Sequence, residues 1–340
     1  MRKIWKHFGI EITCTALFCS STFAADPPVT ILNIELANET IYVGDVSDYS
    51  KLASDPNPVP PAQPSNRNFG TTIVIADIVS VNGKPAKGTM IEHTRAIRLS
   101  PNPTAGVATA DTTRYGIYDF NFEFQRADGT PIGSIRSGGA GQGPPPPGAI
   151  KTIASANHPI LGGTGAFLGV RGYQGAAPGG SNVAGAYQAS VAEDPINRRS
   201  RGGGPASQTM YIIPMFWPEV VKTANGPAVV HSADFSLVTS AKPARSGEIL
   251  TLFATGLGPT NPGLEAGAVF AASPLQVATS PIEVFVGDQS AEVLYAGGYP
   301  GTTSAYQVNF RMPPGIAPGM ANLRMSAAWI GGGAVQIPVQ

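Results

Sequence analysis

Apolar and polar residues alternate with period two in short runs along this chain, and no long stretch keeps the 3.6-residue spacing of an amphipathic helix. The cleanest run is Ile117 to Gln125, where Tyr118, Phe120, Phe122 and Phe124 alternate with Asp119, Asn121, Glu123 and Gln125. Period two puts the four rings on one face of a strand. Two readings of that row stay open, a core or subunit contact and an aromatic platform for a ligand. Thr71 to Val81 is rich in β-branched residues and is followed by Asn82-Gly83, a strong hairpin signal. The return strand, Thr89 to Leu99, mixes charge and apolar bulk on both faces. Ile91, Ile97 and Leu99 lie with His93 and Arg95, while Met90 and Ala96 lie with Glu92 and Arg98. A small barrel accommodates such a strand where part of its lumen is packed and part holds a polar pocket.

Asp128-Gly129 turns the next hairpin, and Ser137 to Gly148, with its glycines and four consecutive prolines, reads as a loop over a barrel mouth. That loop is either a lid or a surface segment without a role. Short strands are expected at Ala186 to Ala192 and Thr209 to Met215, and Asn197 to Gly202 with its three arginines reads as a solvated loop. Upstream, Val29 to Leu36 reads as a strand, and Asp55 to Pro64, five of its ten residues proline, as an extended linker. From His231 onward, strands are expected at Ile249 to Thr255, Ile282 to Val286, Ala291 to Tyr295, Tyr306 to Arg311 and Asn322 to Ala328, the spacing of a β-sandwich.

Composition adds a compartment and removes several functions. Gly 41 and Pro 32 make up over a fifth of the 340 residues without a collagen-like period, which favours strands and turns. Arg2, Lys3 and Lys6, an apolar run to Phe18 and Thr22-Phe23-Ala24 form a secretory leader, with lipid attachment at Cys19 as the competing reading. Both cysteines, Cys14 and Cys19, lie within it, so the mature chain is expected to carry neither disulfides nor thiolate metal sites. Taking Arg2, Lys3, Lys6 and Glu11 from the 22 basic and 22 acidic residues leaves 19 and 21, no basis for nucleic-acid or anionic-membrane binding. The histidines left, His93, His158 and His231, are far apart and suggest no metal site.

Two resemblances give these patterns a fold. Gly162-Gly163-Thr164-Gly165, Phe167 and Arg171-Gly172-Tyr173 resemble the glycine-rich motif of dirigent proteins, which share an eight-stranded antiparallel barrel with allene oxide cyclases. Phe69-Gly70-Thr71 with the apolar run to Asp77, and Gly133-Ser134-Ile135, are similar to further stretches of that family in the same order. Leu252 to Pro259, Ala296 to Gly301, Tyr306 to Asn309 and Met312 to Gly315 resemble an immunoglobulin-like C-terminal domain of secreted proteins from certain soil bacteria. The expected organisation is all-β: leader 1–24, N-terminal strand and proline-rich linker 25–65, eight-stranded antiparallel barrel 66–216, connector 217–230 and immunoglobulin-like β-sandwich 231–340.

The barrel resemblance implies Asp77, Arg171 and Tyr173 as catalytic residues, a carboxylate to take a phenolic proton and an arginine to steady an oxyanion. An Asp77–Arg171 pair that only joins two strands is the alternative. Glu92, His93, Arg95 and Tyr118 are the candidate ligand contacts. Ala166 stands where several stereo-directing relatives carry an acid, so the fold transfers better than the activity. The implied function is secreted binding of a small hydrophobic or phenolic molecule, with cofactor-free steering of its coupling or cyclisation, in a homotrimer. The other reading is a non-enzymatic envelope or matrix protein that contacts a surface or glycan. Trp329 is read as packing or as a sugar platform.

Overall fold

A computed structural model describes residues 29–45, 70–96, 116–141, 154–176, 187–190, 193–201 and 203–340. The leader, the proline-rich linker and the run of four prolines lie outside them. The N-terminal part is a closed antiparallel barrel of β1 (Thr30–Asp45), β2 (Gly70–Val81), β3 (Lys84–Ala96), β4 (Gly116–Arg126), β5 (Pro131–Gly141), β6 (Ala154–Gly165), β7 (Arg171–Ala176) and, beyond the short β8 (Tyr187–Ser190), β9 (Ala206–Ile213). Each strand pairs with the next around the circle, β9 pairs with the first half of β1, and β1 closes on β2. β8 runs parallel to the second half of β1, from Thr40 to Val43.

Three expectations change here. β1, expected outside the barrel, is one of its eight staves, so the barrel begins at Thr30 and not at residue 66. The start of the anticipated loop, Ser137 to Gly141, continues β5 instead. A side chain on Gly138 would crowd the Tyr118 carbonyl, so glycine there lets β4 and β5 stay close. Arg198–Arg201, expected as a solvated loop, is a short helix capped by Asp194 through a preceding 3-10 turn, and Arg198 is buried.

The β2–β3 hairpin turns at Asn82 and Gly83, both at positive φ, as that dipeptide favours. The glycine-rich motif closes the far side. Gly165, at φ 60°, faces the Ile132 carbonyl, and Gly172 lies against the Tyr211 carbonyl, where any Cβ would collide. Inward positions of the proximal half, Leu32, Ile34, Met90, Phe122, Phe124, Ile135, Met210 and Ile212, are at most 1 % exposed. The aromatic row of β4 therefore packs as core at Phe122 and Phe124. Its rings stack 6.0 to 6.4 Å apart along the strand.

Residues from Glu219 onward form a β-sandwich. One layer holds Ile249–Thr255 and Tyr306–Arg311, the other Ile282–Val286, Gly319–Ala327 and Val335–Val339, and Gln289–Gly298 pairs with both. It starts earlier than 231, because Glu219–Val220 already pairs with Ala254 and Thr255. Its own core lies between the layers around Leu252, Val284, Phe310 and Leu323.

The sandwich also closes the proximal end of the barrel. A two-residue turn at Ala328 and Trp329, both at positive φ, pushes Ala328, Trp329 and Ile330 onto the barrel core, with Trp329 5.9 Å from Phe124. Lys84 at the β2–β3 hairpin pairs with Glu283 beside this contact. Left-handed backbone at two non-glycine residues is strained and persists where surrounding packing over-determines it. Trp329→Ala is expected to cost about 2 kcal/mol by opening this contact, less than a fully buried ring. Denaturant melts should show the loss in the barrel as well as in the sandwich.

Candidate functional site

Residues opposite one another in adjacent strands share a face, so the register assigns every candidate to the lumen or the outer wall. On β2 the core face carries Val74, Ala76 and Ile78, which leaves Asp77 on the outside. On β7, Gly172 and Gln174 oppose the core residues Ile212 and Met210, so Arg171 and Tyr173 also point outward. Arg171 donates to the Val170 carbonyl at 2.8 Å, and Tyr173 is 43 % exposed. The expected Asp77–Arg171 pair is not formed. His93 and Arg95 oppose Ile73 and Thr71 on the outer wall, whereas Glu92 and Tyr118 face the lumen.

Asp77 instead anchors a clamp. Arg198 donates to it at 2.5 Å, Arg199 at 2.9 Å to each oxygen, and Asn38 Nδ2 at 2.9 Å. Burial alone would raise the Asp77 pKa, but hydrogen bonds from Arg199, Asn38 and Arg198 outweigh it and bring it to about 2. The Asp77 and Arg198 side chains are only 13 % and 9 % exposed. Asn38 sits in a bulge of β1, at φ 55°, where the register with β2 shifts between Ala37 and Thr40. Bulges re-aim side chains, and while Asn38 reaches out to Asp77, Glu39 turns to the Glu92 side of the wall.

The lumen thus changes character along its axis. Beyond Phe122 its lining is Glu39, Glu92, Thr94, Tyr118, Phe120, Ser137, His158, Gln174 and Gln208, linked by three hydrogen bonds and two ring contacts. Ser137 donates to Gln174, and Gln174 to Gln208, each at 2.7 Å. The His158 ring lies 4.9 Å from Tyr118 and 4.8 Å from Phe120. Thr94 Oγ1 donates to Glu92 at 2.7 Å. Gly139, opposite Tyr118, lies against His158, whose Nδ1 an added Cβ would approach to 3.5 Å.

This part of the lumen is electrostatically unusual. Burial, with a smaller contribution from the Glu92 charge, raises the Glu39 pKa to about 7. Burial also raises that of Glu92, against the hydrogen bond from Thr94. Burial lowers the His158 pKa to about 4, so its imidazole is neutral at pH 7. Glu39 is 8 % and His158 5 % exposed, yet Glu39 Oε2 and His158 Nδ1 have no hydrogen-bond partner among the described residues. Buried polar atoms are nearly always satisfied, so two orphans in one lumen mark a place built to meet something else.

Four of these residues were not legible as candidates: Glu39, His158, Gln174 and Gln208. Gln174 and Gln208 carry a signal, since each falls on the apolar face of its own strand. Glu39 and His158 adjoin register shifts that break the alternation.

Fold and site together define an eight-stranded antiparallel barrel, closed at one end by a β-sandwich and lined at the other by acidic, amide and aromatic side chains. No family model, curated protein or solved structure matches the chain. Among the described residues, no three His, Cys, Asp or Glu side chains are grouped to hold a metal ion, and no helix is long and apolar enough to cross a membrane.

Proposed function

We propose that this is a secreted barrel protein that binds a small, uncharged, ring-bearing molecule, a phenol or aromatic carbonyl compound, in the polar half of its lumen. The observation that carries the reading is the pair of buried, unpartnered atoms, Glu39 Oε2 and His158 Nδ1, beside the rings of Tyr118 and Phe120. Rings give the ligand an apolar wall, and a few placed polar atoms orient it. A neutral ligand fits because Arg136, Arg171 and Arg198, on strands and helix beside the polar half of the lumen, are engaged outside it and do not offset an anion.

The test is saturation-transfer NMR of the full chain with a panel of phenols and neutral aromatic ketones. Tyr118→Ala and His158→Ala are each expected to weaken the best binder about tenfold, or about 1.4 kcal/mol, while Arg171→Ala leaves it unchanged. Loss of binding in Arg171→Ala alone would move the site to the outer wall. A second reading, a non-enzymatic envelope or matrix protein, draws support from the packed proximal lumen and the sandwich that closes it. Absence of any binder in the panel would favour it.

A further inference from the structure

The lumen holds two carboxyl groups with no described cation between them. Glu39 and Glu92 stand on the strands flanking β2; Val74 opposes Glu92 and Ile41, and Glu39 lies two residues before Ile41 on the same face, so the two glutamates are diagonal across β2. Two strand spacings, about 9.6 Å, and an offset of two residues along the strand lie between their backbones, and the charge of Glu92 is felt at Glu39. Of the described arginines near this half of the barrel, Arg95 is exposed on the outer wall, and Arg136, Arg171, Arg198 and Arg199 are committed to partners there. Two carboxyl groups that face one recessed lumen and feel each other's charge do not both ionise readily, so the pair retains a proton. The Thr94 hydrogen bond favours the ionised form of Glu92, whereas Glu39 Oε2 has none.

We propose that Glu92 and Glu39 act together as base and acid to enolise a neutral aromatic ketone held against Tyr118, Phe120 and His158; this rests on the binding reading above. The Glu92 carboxylate takes a proton from the carbon next to the carbonyl. The C–H electron pair becomes the C=C bond, the carbonyl π pair moves onto oxygen, and that oxygen takes the proton from Glu39. Enol, protonated Glu92 and ionised Glu39 result, the site's charge having moved from one carboxyl to the other. Nothing is oxidised or reduced, and reversal restores the ketone with a solvent-derived proton. The arrangement meets the general requirement for such chemistry, a base and a protonated acid in a site shielded from water, here by Phe120 and Phe122.

The probe is 2-tetralone in D2O, with hydrogen exchange at its benzylic carbon followed by proton NMR in the presence of the full chain. Wild type is expected to exceed the Glu92→Gln variant about 100-fold after subtraction of the buffer rate. Glu39→Gln should lower the rate less, since its amide still donates a hydrogen bond, and Glu92→Asp should recover part of it. Near-UV circular dichroism of each variant establishes that it is folded. If 2-tetralone binds but exchange does not exceed buffer, or if Glu92→Gln retains the rate, the acid–base proposal is overturned and the binding site stands. If phenols bind and ketones do not, the proposal again falls alone. If no ring-bearing compound binds, both fall.

Discussion

Asp77→Ala is expected to destabilise the barrel by about 3 to 5 kcal/mol, and Arg171→Ala to change its stability by less than about 0.5 kcal/mol. Removing Asp77 leaves Arg198, nearly buried, as an uncompensated cation, and strips Asn38 and Arg199 of their acceptor. Arg199 itself is mostly exposed and contributes little of the loss. Arg171 has one hydrogen bond, to the carbonyl of its own neighbour. Urea titrations at pH 7 compare the two directly. The sign in acid follows from the folded-state pKa of about 2 against the ordinary 3.8. The clamp's contribution is complete above pH 3.8 and is lost as pH falls through 2, so wild type and Asp77→Ala should converge in that window, by about 2 kcal/mol.

The same clamp ties the outer wall to the lumen. Asp77 holds Asn38, Asn38 holds the bulge, and the bulge aims Glu39. The aspartate singled out by resemblance thus sits one residue contact from the site without touching it, a positioning residue. Its loss should also shift the Glu39 titration, which replacing Arg171 should not.

β2 to β4 were readable because each carried its own pattern, and the Asn82-Gly83 and Asp128-Gly129 hairpins fixed the order of β2 to β5, whereas β6 was not read as a strand. Closure was not readable, since β1 is separated from β2 by a proline-rich stretch and joins the barrel through long-range pairing with β2 and β9. The face of Asp77 was hidden by a different cause. β2 is apolar on both sides, Ile73 and Ile75 outside and Val74, Ala76 and Ile78 inside, so alternation alone does not say which row is core. For β7 the signal existed and pointed away from the motif: Gln174 opposes Met210 inside, which turns Arg171 and Tyr173 out. The motif's glycines are explained by backbone crowding at Gly163, Gly165 and Gly172, a demand of the fold that says nothing about reaction chemistry.

Glu39→Gln and His158→Gln are expected to reveal opposite pH slopes that cancel in the wild type. Glu39 has an ordinary pKa of 4.5 and a folded value of about 7, so between these the folded chain binds more protons and stability falls as pH rises. Burial of Glu92, which faces the same lumen, adds to that fall. His158 has an ordinary value of 6.5 and a folded value of about 4, so between these the unfolded chain binds more protons and stability rises with pH. Tyr118 is the other titratable side chain against His158. Each shift corresponds to about 3 kcal/mol over its window, and the windows overlap from 4.5 to 6.5. Glu39→Gln removes the falling slope, so this variant should gain about 3 kcal/mol on wild type by pH 7.5 and melt earlier as pH drops from 6.5 to 4. His158→Gln should do the reverse, losing stability from pH 4.5 to 7. Denaturant midpoints at half-unit pH steps read both slopes, and a flat difference between either variant and wild type would mean that its side chain is solvated and the lumen open to bulk water.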